Sequence, residues 1–132
     1  MTWTLSVLVI ANVTATSPEL SSALKERAAE GQCRFTLIVP ATPGAPAHAR
    51  LEEALRHLRG EGLAIEGRVG DRDPVGAFHD AWDPAVYDEV VISTLPTGTS
   101  RWLQVDLPQR IVRDTGAPVR HVVAAPVGER VP

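Results

Sequence analysis

The stretch Val90–Val123, VVISTLPTGTSRWLQVDLPQRIVRDTGAPVRHVV, decides the fold. It opens on three consecutive β-branched residues, Val90, Val91 and Ile92, and ends that run at Ser93 and Thr94. An unbroken apolar run suits a strand covered on both faces, as in a parallel sheet. A polar loop follows, with hydroxyls at Thr97, Thr99 and Ser100, a glycine at Gly98 and a cation at Arg101. Asp106 then stands where a helix cap belongs, ahead of Leu107, Ile111 and Val112, and Thr115-Gly116 supplies the stop. Val119–Val123 is a further strand. In open parallel sheets, ligands sit where strand carboxyl ends meet helix amino ends, so this loop is where small-molecule chemistry is sought first.

Working outward, the same unit recurs. Ser6–Ala11 is a continuous apolar run, a first strand covered on both faces, and Asn12–Thr16 is the polar loop at its carboxyl end. Ser17-Pro18-Glu19 starts a helix with a hydroxyl cap, a first-turn proline and an acid at the positive dipole end. Leu20, Ala23, Leu24 and Ala28 share its inner face and Gly31 ends it. Phe35–Val39 is a second strand, and the Ala41–Pro46 connection is too short to divide domains. A second helix turns Ala47, Leu51, Ala54, Leu55 and Leu58 inward, with Arg50, Glu52, Glu53, Arg56, His57 and Arg59 on its wet side. Leu63–Val69 alternates, which suits a sheet edge. Asp73-Pro74 caps a third helix whose inner face is Val75, Phe78, Ala81 and Trp82. The order β-α-β-α-β-α-β-α-β implies right-handed crossovers and a three-layer α/β/α sandwich around a five-stranded parallel sheet. Residues 1–124 read as one domain and 125–132 as a loosely held tail with a glycine and two prolines.

Composition narrows the function classes. With 132 residues, 44% of them hydrophobic, the chain is long enough for a real core. A net charge of −3 and the absence of any basic stripe argue against nucleic acid as a partner. The lone cysteine, Cys33, rules out an intrachain disulfide and reads as a core filler. The apolar amino-terminal run has no basic leader, and no segment has the length of a membrane span, so a cytoplasmic protein is expected.

Chemistry-bearing patterns are sparse. There is no GxxxxGK[S/T] phosphate loop, no GxGxxG after the first strand, no acidic pair at that strand's end and no G-x-S-x-G elbow at Ser93. Asp71, Asp73, Asp80 and Asp83 follow a helix cap, a helix surface and a helix stop rather than a calcium loop. The four histidines lack the paired spacing of a zinc site. No metal and no catalytic residue is assigned.

One resemblance remains. Val90-Val91-Ile92-Ser93 as a strand, Gly98 in the loop, Arg110-Ile111-Val112-Arg113 followed by Ala117-Pro118-Val119, and the Gly70-Asp71 turn with Pro74 together resemble the universal stress protein family. That family's signature after strand four is G-x2-G-x9-G-[S/T]. The resemblance implies an adenine nucleotide alpha hydrolase-like fold with strand order 3-2-1-4-5. It also implies dimerisation through strand five, here Val119, His121, Val122 and Val123. Two departures bear on function. The family's ATP-binding members end strand one in aspartate, where this chain has Asn12, and their Gly-[Ser/Thr] pair falls on Val105-Asp106. Valine crowds the approach that glycine permits, and a carboxylate competes with phosphate for a helix N-terminus. ATP held in the family's manner is thus disfavoured, and no cofactor is assigned. The expectation is a non-catalytic regulatory or binding module, probed at a degenerate pocket of Asn12, Val13, Val69, Gly70, Ser93, Thr94, Gly98, Thr99, Ser100 and Arg101. The alternatives are a nucleotide- or anion-binding member with altered phosphate contacts and at most slow ATP hydrolysis, or an interaction subunit without a ligand.

Overall fold

A hydroxyl and a proline start the first helix as the sequence predicts: Ser17 Oγ accepts from the Leu20 amide at 3.1 Å, and Pro18 occupies the first turn. The computed structural model describes residues 4–41, 46–96 and 106–124. Within them the chain runs β1 (Leu5–Ile10), α1 (Pro18–Glu30), β2 (Cys33–Pro40), α2 (Ala47–Gly60), β3 (Ile65–Gly70), α3 (Pro74–Ala81), β4 (Glu89–Thr94), α4 (Leu107–Thr115) and β5 (Val119–Val123). All strand pairings are parallel, in the order β3-β2-β1-β4-β5. The predicted sheet and its order are therefore present.

Alternation along the strands divides the core in two. Val7 and Val9 of β1, Phe35 and Leu37 of β2 and Val91 of β4 pack against Leu20 and Leu24 of α1 and Leu51, Ala54 and Leu58 of α2. Leu8, Ile10, Ile38, Val90 and Ile92 face the other way, onto Ala77, Phe78 and Ala81 of α3 and Leu107 and Ile111 of α4. The central strands are continuous apolar runs because both of their faces are covered. Each fully buried Leu, Ile, Val or Phe contributes about 1.5–3 kcal/mol relative to exposure.

Glycines set two close approaches. A Cβ on Gly67 would stand 2.7 Å from the Leu37 carbonyl oxygen and 2.8 Å from Leu51 Cδ1, so the bare backbone lets α2 lie close over β3. At Gly70 a Cβ would meet Ile38 Cγ2 at 2.8 Å and Ala77 Cβ at 2.9 Å, which seats α3 on the sheet. At the opposite end of the sheet Arg27, in the last turn of α1, donates from Nε and Nη2 to both carboxylate oxygens of Glu89 at 2.9 and 2.7 Å. This fork pins α1 to the start of β4.

Some local expectations change. Gly31 ends α1 in an extended conformation, φ 171°, that any residue can adopt. Asp106 precedes α4, but its side chain makes no cap bond, and its backbone is left-handed at φ 57°, ψ 42°. Val112 is 43% exposed, and Pro108 is buried beside Leu107 and Ile111. Among the described residues no helix is long and apolar enough to cross a membrane.

Candidate functional site

The strand order reverses direction between β1 and β4, because β2 and β3 extend one way and β5 the other. Crossover connections leave a crevice at the carboxyl edge of such a switch point. The side chains there come from the turn after β1 and from the carboxyl end of β4. Thr14, in the turn after β1, is 3% exposed, and Ser93, near the end of β4, is 1% exposed. Their hydroxyls lie 2.6 Å apart and satisfy one another across the switch point. Asn12, at the start of the same turn, accepts at Oδ1 from Nη1 of Arg50 on α2. Val13 between them is 57% exposed, an apolar surface at this edge of the sheet.

Thr94 is next to Ser93, but strand geometry sends it to the opposite layer. There its hydroxyl is 2.7 Å from Nε2 of His121 on β5, and burial lowers the His121 pKa. Neither β4 hydroxyl is presented to solvent as a nucleophile: both are buried and hydrogen-bonded.

The structure thus divides the candidate residues. Asn12, Val13 and Ser93 meet at the β1–β4 edge, and Thr94 lies beneath it on the α3–α4 side. Val69 and Gly70 end β3, two strands from β1 and about 10 Å away at ordinary strand spacing. They line a separate open depression with Ile38, Arg68, Asp71 and Ala77. Gly98, Thr99, Ser100 and Arg101 lie outside the described residues, as do Thr97 and Trp102. Of the strand-five residues, Val119 packs partly on the α3–α4 core, Val122 partly on the α1–α2 core, and Val123 is 46% exposed.

Two residues at this edge escape the sequence reading. Arg50 reads as part of the wet side of α2, yet it is half-buried and bonded to Asn12. Its position, three residues after buried Ala47 and four before buried Ala54, is the signal that places it on the flank of the inner stripe. Thr14 reads as loop, and nothing local distinguishes it from Thr16; its partner lies 79 residues away. The aspartates behave as turn and cap formers where their bonds are visible. Asp73 accepts from the Val75 amide and Asp83 from the Ala85 amide. Among the described residues no three His, Cys, Asp or Glu side chains are grouped as metal ligands.

This fold is that of the universal stress proteins. The chain is similar to a universal stress protein solved in complex with cAMP, at TM-score 0.69 and 22% identity, over 94% of this chain and 99% of that one. It is also similar to a universal stress protein from Archaeoglobus fulgidus, at TM-score 0.63 and 16% identity, over 89% and 93% of the two chains. A universal stress protein from the same organism in complex with dAMP aligns at TM-score 0.60 and 16% identity, over 92% and 99%. No protein-family profile and no curated protein matches the chain.

Proposed function

We propose that this chain is a non-catalytic regulatory binding module that takes a small adenine nucleotide, with a single or cyclic phosphate, in the crevice between β1 and β4. The observation that carries the reading is the pair of polar side chains beside the switch point, Asn12 and the half-buried Arg50 bonded to it. Two proteins of the same fold were solved with cAMP and with dAMP, which supports that ligand class. Asp106 at the amino end of α4 opposes a polyphosphate there, since a carboxylate already occupies the positive dipole end. The buried, mutually bonded hydroxyls of Thr14 and Ser93 support a binding rather than a hydrolytic role. The module pairs with a second copy along the outer edge of β5, the edge that no strand among the described residues covers; the inner edge is bonded to β4.

Thermal unfolding with AMP, cAMP, dAMP and ATP tests the nucleotide reading, because a ligand of the native state raises the midpoint in proportion to the logarithm of its concentration. The expected result is a shift with the monophosphates, a smaller one with ATP, and no phosphate release. A flat response across the panel, or ATP as the strongest ligand, overturns it.

A further inference from the structure

Arg50 is a half-buried cation that no carboxylate among the described residues pairs with. It stands in the first turn of α2, at the carboxyl edge of the sheet, and donates to the neutral side chain of Asn12. The ion pairs among the described residues are Lys25–Glu61, Arg27–Glu30, Arg27–Glu89, His79–Asp114 and Arg113–Asp114; none involves Arg50. The acids at this edge, Asp71 and Asp73, follow β3, where Asp73 caps α3. Residues 11–18, 42–45 and 97–105, which follow β1, β2 and β4, contain no aspartate or glutamate, and the last of these carries another arginine, Arg101.

Taking a charge partly out of water without an opposite charge is costly, so such groups are ordinarily paired. Here an amide orients the guanidinium without neutralising it. A guanidinium has five N–H donors in a planar fork that matches the oxygens of a phosphate, and one bond to Asn12 leaves the rest for a second partner. At the other helix amino end beside the switch point, Asp106 supplies a negative charge instead. The charge distribution therefore favours an anion on the α2 side of β1.

We propose that Arg50 is the anion-binding group of the crevice, taking the phosphate ester of the bound nucleotide, with Asn12 aiming it. This rests on the nucleotide reading above and adds which end of the crevice holds the phosphate. It also assigns a purpose to the amide at position 12: an aspartate there would close an ion pair with Arg50 and cancel the charge the ligand needs.

Calorimetric titration with AMP and with adenosine, on the wild-type chain, Arg50→Gln and Asn12→Asp, tests the assignment. The wild type is expected to prefer AMP over adenosine. Both variants should lose about 10- to 100-fold in AMP affinity, the span of one charge-assisted bond, while adenosine affinity stays level. Inorganic phosphate should protect the wild type against thermal unfolding more than either variant. Unchanged AMP affinity in folded Arg50→Gln overturns the role of Arg50 and leaves the nucleotide reading standing. If Arg50→Gln does not fold, Asn12→Asp decides, because it keeps the oxygen that accepts from Arg50 and sets a carboxylate against the guanidinium; undiminished AMP binding by it overturns the proposal. A wild type that binds neither AMP nor adenosine overturns both readings together.

Discussion

Thr14 Oγ1 and Ser93 Oγ lie 2.6 Å apart in the interior and join the turn after β1 to the end of β4. Each hydroxyl is the other's means of satisfaction in a place without room for bulk water. Removing one orphans its partner, which costs about 1–3 kcal/mol. Thr14→Val and Ser93→Ala are each expected to lower stability by that amount in urea unfolding. The double variant should cost less than the sum, since no buried hydroxyl is then left unpaired. Additive losses would refute a mutual bond.

The Arg27–Glu89 fork is half-sheltered, with side-chain exposures of 14% and 23%. Bonding to Arg27 holds the Glu89 carboxyl below the usual glutamate range, against the opposing effect of burial. A depressed folded pKa means stability that is present in full above the ordinary glutamate value and lost as the pH falls through the lower, folded one. Glu89→Gln is expected to cost about 2 kcal/mol at pH 7. Its difference from wild type should shrink as urea titrations are taken into the acid range below pH 4. A gap independent of pH would show that the pair acts through packing alone.

His121 has the opposite sign of linkage. Burial disfavours its charged form and lowers its folded pKa beneath the unfolded value. Between those two values the unfolded chain holds more protons, so stability falls as the pH drops from neutrality through that window. His121→Gln keeps a polar partner for Thr94 and removes the titration. Its melting temperature should therefore decline less than that of the wild type between about pH 7 and pH 5, the region where histidine ordinarily titrates. Parallel curves would place the acid sensitivity elsewhere.

Edge pairing through β5 is best probed at Val123. Val122 is partly packed on the α1–α2 core, so a charge there damages the fold as well as any interface. Val123 is 46% exposed. Val123→Asp is expected to convert a dimer into a monomer in sedimentation at micromolar concentration, with unchanged far-ultraviolet dichroism. A wild type that sediments as a monomer would remove the interface altogether.

The layered fold was legible because its central strands are unbroken apolar runs. Leu8, Val9 and Ile10, or Val90, Val91 and Ile92, leave no alternating polar face to turn toward water. The helix starts at Ser17-Pro18 and Asp73-Pro74 are local chemistry, and the bonds from Leu20 and Val75 appear where that chemistry puts them. What was not legible depends on distance along the chain. Thr14 finds Ser93, Arg50 finds Asn12 and Glu89 finds Arg27 because strand order brings them together. Gly70 reads as a turn residue, whereas contact with Ile38 and Ala77 is what excludes a side chain there. Asp106 reads as a cap from its type and position, but the left-handed backbone leaves its carboxylate without a cap bond.

The place of β1 between β2 and β4 has a consequence for how the chain is made. On the ribosome β1, β2 and β3, with α1 and α2, are complete before β4 is synthesised, and each of their pairings spans a short interval. The second edge of β1 has to wait: the Ser6 amide bonds to Asp88 Oδ2 across 82 residues, and Val7 to Ile10 pair with β4 just beyond. Until then a hydrophobic strand edge lies open to any other nascent chain. Closing it is a long-range event of the kind that slows folding. The half-made protein is therefore at its most aggregation-prone on the flank that later closes against β4.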